Sequence, residues 1–175
     1  MGYSGAGVPL WTNRFNLRGN GDARASGVAV DSSGNVYVTG YSTATNHFRH
    51  YATVAYSGAG VPLWTNGYTG PSNVSDAATA IAVDSSGNVF VTGYSYEVFG
   101  VGYATVAYSG AGVPLWTNEY KGPGNGGDYA SAMTVDSGGN VLVTGYSTDT
   151  AGYYDYATIK YSSSVAPPAR LDFKR

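Results

Sequence analysis

Ala80-Ile81-Ala82-Val83-Asp84-Ser85-Ser86-Gly87-Asn88-Val89-Phe90-Val91-Thr92-Gly93-Tyr94 decides the fold. Its first residues are small and branched, and its last ones alternate Val, Phe, Val and Thr as a half-buried strand does. Between them, Ser85-Ser86-Gly87-Asn88 supplies turn chemistry. The stretch therefore reads as two antiparallel strands and their turn. The same words recur: Val-Asp-Ser-Ser-Gly-Asn-Val stands at Val30–Val36 and Val83–Val89, and Val-Asp-Ser-Gly-Gly-Asn-Val at Val135–Val141.

Two further phrases repeat around it. Tyr-Ser-Gly-Ala-Gly-Val-Pro-Leu-Trp-Thr-Asn occurs at Tyr3–Asn13, Tyr56–Asn66 and Tyr108–Asn118, and Tyr-Ala-Thr begins at Tyr51, Tyr103 and Tyr156. The period is about 52 residues, and repeats on that scale signal stacked supersecondary units. In the middle copy four strands are expected: A at Ala78–Val83, B at Val89–Ser95, C at Tyr103–Tyr108 and D at Val113–Asn118. No window has helical spacing, and the density of Gly and Pro opposes a helix. Pro9, Pro62 and Pro114 place D at a sheet edge, because proline cannot donate to a ladder. Strand A is small enough to crowd around an axis. A four-stranded meander with a tight inner strand, repeated radially, is a β-propeller blade.

Ala80–Tyr94 and Pro62-Leu63-Trp64 resemble the bacterial β-propeller repeat family called SBBP and, more distantly, NHL-type propeller repeats. The resemblance runs from Tyr3 to about Ser164. It implies an all-β fold and an origin in large secreted or surface proteins of bacteria. Extracellular or cell-surface localisation is therefore expected, with a leader outside this chain, since Met1-Gly2-Tyr3-Ser4 lacks the charged head and apolar core of a signal peptide.

The chain reads D, ABCD, ABCD, ABC: three blades over residues 1–164, followed by a Pro-containing linker over 165–175. Three blades do not close a ring, which takes ~4–8, and open edges invite aggregation. A homodimer closing six blades is one expectation, each chain lending its first D strand (about Val8–Arg14) to the other's ABC sheet. The alternatives are a nine-bladed trimer, or pairing with blades of a longer parent chain.

Composition narrows the function. Of 175 residues, 43% are hydrophobic and only 11% charged, with a net charge of −2 and no Lys/Arg cluster. A nucleic-acid partner needs a basic footprint, so none is expected. No apolar run reaches the ~18 residues of a membrane span, so no membrane partner is expected either. Without cysteine there are no disulfides and no thiolate metal sites. His47 and His50 offer two ligands where zinc takes three or four. Asp31, Asp84 and Asp136, with Asn35, Asn88 and Asn140, lack the alternating ligands and closing Glu of a calcium loop, and read as turn residues. No metal and no cofactor is expected.

The A–B and C–D turns barely change between copies and are expected on one face. The B–C connections (Ser42–His50, Ser95–Gly102, Ser147–Asp155) and the D–A connections (Asn16–Arg24, Tyr68–Asp76, Tyr120–Asp128) vary, and are expected together on the other. Varied loops on a rigid scaffold are where recognition sits. The candidate ligand-binding residues are His47, Phe48, Arg49 and His50 in the first copy, Tyr96, Glu97 and Phe99 in the second, and Asp149, Tyr153, Tyr154 and Asp155 in the third. Exposed aromatics beside Asp, Asn and Arg suit a glycan or a protein patch. Trp11, Trp64 and Trp116 are expected to pack between blades. No convergent acid, base and nucleophile is evident, so no catalytic residues are assigned. A non-enzymatic recognition or scaffold module is the expectation, ahead of a purely structural repeat and of a propeller hydrolase, lyase or quinoprotein.

Overall fold

The computed structural model describes residues 2–16, 21–98 and 100–162. All of its regular structure is antiparallel β. Strands β1 (Gly2–Tyr3) and β2 (Pro9–Trp11) form a two-stranded sheet. Strands β3 (Ala23–Val30), β4 (Val36–Thr43), β5 (Arg49–Tyr56) and β6 (Pro62–Tyr68) form the first complete blade. The second is β7 (Asp76–Val83), β8 (Val89–Glu97), β9 (Gly100–Tyr108) and β10 (Pro114–Tyr120). Strands β11 (Tyr129–Val135), β12 (Val141–Thr148) and β13 (Tyr154–Tyr161) form a three-stranded third blade. Among the described residues there is no helix able to cross a membrane.

The strand order D-ABCD-ABCD-ABC holds, with one addition at the start. Tyr3 pairs with Pro9 as Tyr56 pairs with Pro62 and Tyr108 with Pro114, so β1 is the end of a C strand. Of the D strand expected over Val8–Arg14, only Pro9–Trp11 is extended and paired. Each prolyl residue opens its outer strand, where no ladder donor is needed. The inner strands β3, β7 and β11 contact one another from blade to blade.

The repeated words explain themselves in three dimensions. The Asp31 carboxylate accepts from the Ser33 and Asn35 backbone amides (both 2.9 Å) and from the Asn35 side chain at 2.9 Å. Asp84 and Asp136 do the same, which makes these residues turn devices. The Thr of Val-Thr-Gly-Tyr meets the Thr of Tyr-Ala-Thr across the sheet: Thr39–Thr53 at 3.0 Å, Thr92–Thr105 at 2.9 Å and Thr144–Thr158 at 2.9 Å. The Gly of that phrase faces a bulge in strand A. At Gly93, a Cβ would overlap the carbonyl of Ala77.

Blades join through Trp, Tyr and the branched residues. Trp64 lies 5.8 Å from Tyr37 in its own blade and 5.8 Å from Tyr108 in the next, and donates to the Gly110 carbonyl at 2.9 Å. Tyr51, Val89, Val91 and Val106 are buried in the same joint. Phe90, Tyr103, Val141, Val143 and Tyr161 fill the next one. The tryptophans are therefore joints, which is the packing role expected of them.

Candidate functional site

The varied connections meet at one end of the blades. The D–A segment after the first blade reaches the B–C corner of the same blade through Asn46 Nδ2 donating to Asn73 Oδ1 at 3.4 Å. It also reaches the next blade, where the Ser72 hydroxyl donates to the Tyr96 carbonyl. Further on, the Asp128 amide donates to the Val101 carbonyl at 2.9 Å and the Gly124 amide to that of Thr148 at 3.0 Å. At the other end, the C–D turns lie against the A–B turns, Gly58 on Gly34 and Gly110 on Gly87.

The corners are tighter than the loop boundaries expected from sequence. Pairing continues to Thr43–Arg49, Glu97–Gly100 and Thr148–Tyr154. Arg49, His50, Tyr96, Glu97, Tyr154 and Asp155 are consequently strand residues. Asn46, His47, Phe48, Asp149 and Tyr153 lie in the connections, and Phe99 falls outside the described residues. His47 sits in the turn at φ 65°, exposed. Asp149 caps its own corner, accepting from the Ala151 and Tyr153 amides at 2.9 and 2.8 Å.

His50 is buried, and it is not available at the rim. Its Nδ1 stands 3.2 Å from Oδ2 of Asp76, a carboxylate with no exposure. Asp76 also accepts from the Gly70 amide at 2.9 Å and the Ser95 hydroxyl at 2.6 Å. The cluster ties the first blade's C strand to the second blade's A strand. Its geometry differs from a nucleophile–base pair: the carboxylate takes both hydrogen bonds, and none joins Ser95 to His50. Asp128 repeats the cap in the third blade, accepting from Gly122 and Thr148 amides at 2.8 and 3.1 Å. Sequence reasoning placed Asp76 and Asp128 in loops and gave them no role. The signal that could have found them is their recurrence immediately before strand A.

An aromatic line crosses the second and third blades at this end. Ring centroids run from Tyr96 to Tyr94 (6.1 Å), to Tyr129 (5.3 Å), to Tyr146 (5.1 Å) and to Tyr154 (4.9 Å). Tyr96, Tyr146 and Tyr154 are exposed, and Tyr153 beside them is 73% exposed. At the near end, the Arg49 guanidinium lies 4.5 Å from the Tyr41 ring centre. Burial, then the neighbouring tyrosines, pushes the Tyr129 phenol up to about 12, so it stays a neutral donor. Burial, then the Glu119 carboxylate, raises Glu97 above the usual carboxylate range, with Lys121 opposing. Sequence reading found Tyr96 and Tyr154 but missed Tyr94, Tyr129 and Tyr146, which look like ordinary strand residues in one dimension.

Among the described residues, no group of three or more His, Asp and Glu side chains is placed to hold a metal ion. The family model described as beta-propeller repeat, SBBP, matches residues 10–49 and 68–100. Each match takes in a D–A connection, an A–B hairpin and the approach to a B–C corner. No curated protein matches the chain.

Proposed function

We propose that this chain, which carries β-propeller repeats of the SBBP family, is a non-enzymatic recognition module for an extracellular protein or polysaccharide, bound at the B–C and D–A end of its blades. The observation that carries the reading is the tyrosine line from Tyr96 to Tyr154, with rings held 4.9–6.1 Å apart. A tyrosine gives a large contact area at low entropic cost and keeps a polar tip for hydrogen bonding, which is why such residues dominate binding hot spots. Here each ring is packed against the next, so little ordering remains to be lost on binding.

The non-enzymatic part of the reading is supported by where the chemistry-bearing groups are used. Asp31, Asp84, Asp136 and Asp149 cap turns, while Asp76, Ser95 and His50 bind each other in a joint. A catalytic site needs such groups to converge on an open space.

The test is an immobilised panel of bacterial surface polysaccharides together with a pull-down from intact bacterial surfaces. Binding that is lost in a Tyr96→Ala, Tyr154→Ala double variant supports the proposal. Blank results in both formats at high micromolar concentration would overturn it.

A further inference from the structure

Both joints inside the chain are built alike. Tyr51 donates to the Ala104 carbonyl at 3.1 Å, and Tyr103 to that of Ala157 at 3.4 Å. Ser26 donates to the Ala78 carbonyl at 2.6 Å, and Thr79 to that of Ala130 at 2.7 Å. Ile81 and Val83 on the rear of the second blade pack into its joint, as Met133 and Val135 do in the third.

Among the described residues, the ends of the array carry the same parts without mates. Tyr156 continues the series of Tyr51 and Tyr103, yet is 95% exposed where they are 1% and 0%. Ser131 continues the series of Ser26 and Thr79 and is also exposed. On the rear of the first blade, Val28 and Val30 stand where Ile81 and Val83 do, 66% and 59% exposed. Val28 lines a groove of about 400 Å³, together with Val36, Val38 and Val54. Beside that groove, β2 already holds the position of a preceding blade's outer strand. Trp11 donates to the Gly58 carbonyl at 3.1 Å and Asn13 to that of Gly60 at 2.6 Å, as Trp64 and Asn66 do one blade on.

We infer that the rear of the first blade binds the forward face of the third blade of a second copy of this chain, and that two such contacts close a six-bladed ring. By the internal equivalence, Tyr156 of one copy donates to the Ala52 carbonyl of the other, and Ser131 to that of Ala25. Strand β13 of one copy then pairs with the edge of β2 of the other that β1 holds in the single chain. A second copy fits because every chain presents both faces, and three blades plus three fall within the ~4–8 of known rings. A head-to-tail contact whose rotation closes gives a finite ring in place of a filament. Lys160 takes the place of Ala55 and Ala107 on the forward face, with its ammonium already paired to Asp136 at 2.9 Å, so only its apolar stem meets the joint. The two residues of β1 use the register that Tyr161 takes in closure, so closure displaces them.

The inference goes beyond the rim reading and is tested separately from it, by solution mass from light scattering after size exclusion. Wild type is expected near twice 18.1 kDa, and Tyr156→Arg and Val28→Glu each near 18.1 kDa with an unchanged circular dichroism spectrum. Tyr156→Phe, which removes one hydroxyl from each of the two contacts, is expected to raise the dimer Kd about thirtyfold, the equivalent of two hydrogen bonds. A wild-type monomer at tens of micromolar, a larger or polydisperse species, or a dimer insensitive to all three substitutions would overturn the inference.

Discussion

The Asp76 carboxylate, wholly buried, is held by the His50 imidazole of the preceding blade at 3.2 Å. This pair does what the tryptophans do at the other end of the sheets: it fixes the angle between two blades. It also shows that variation between repeats is not all at the surface. His50 is replaced by Gly102 and Asp155 at the equivalent places, and only the first joint has the imidazole.

Truncating Asp76 is therefore expected to be among the most damaging single changes. Asp76→Ala strands the Gly70 amide, the Ser95 hydroxyl and the His50 ring together, and each buried polar group left without its partner costs about 1–3 kcal/mol. His50→Ala leaves Asp76 with two of its three donors and is expected to cost less, about 1–3 kcal/mol. Urea denaturation midpoints should rank the two in that order.

Gly93 tests the bulge that shapes each blade. Alanine there puts a methyl group into the Ala77 carbonyl, and the backbone of β7 must yield. Overpacking of this kind costs about 1–3 kcal/mol. Gly87 has open space around it but φ 82°, so Gly87→Ala is expected to cost about 1–2 kcal/mol by conformation alone. Thermal midpoints of the two variants measure both.

Much of this was legible in one dimension because the chain repeats itself. Three copies of Asp-Ser-Ser/Gly-Gly-Asn named the turns, three prolyl residues named the outer strand, and strand order followed. What escaped was what needs two repeats at once. His50 and Asp76 are 26 residues apart in different blades, and nothing local marks them as partners. The rim expected from sequence is wider than the real one because the residues past Ser95 look like loop in one dimension, whereas Tyr96 and Glu97 still pair with Val101 and Gly100. β1 was missed because two residues carry no period.

Stability at high pH follows from the tyrosines. Burial pushes the phenols of Tyr37, Tyr108 and Tyr129 up to about 12, against about 10 in an unfolded chain. A raised folded-state pKa gives stability that is intact below the unfolded value and is lost as pH rises through the folded one. Alkaline unfolding is expected between pH of about 10 and 12, with these phenols ionising only as the protein unfolds. Phenolate absorbance recorded with circular dichroism across that range checks it.

At low pH the sign reverses. The Lys160 ammonium, then Asn140, holds the Asp136 carboxyl well below the ordinary range. A depressed folded-state pKa gives stability present above the unfolded value of about 3.9 and lost as pH falls through the folded one. Asp136→Asn is expected to leave a shallower loss of stability below pH of about 4. Denaturant midpoints at neutral and acid pH for both proteins measure it.

The central claim is that recognition belongs to the corner end of the blades and the repeated turns serve only the scaffold. Its most direct measurement is titration calorimetry with the polysaccharide or protein captured from the bacterial surface, on two variants of matched stability. Tyr96→Ala with Tyr154→Ala should weaken binding at least about tenfold, the loss of one hot-spot side chain or more. Ser33→Ala with Ser86→Ala, at the opposite end, should leave it unchanged. Binding lost through the turn serines and kept without the tyrosines would contradict the account.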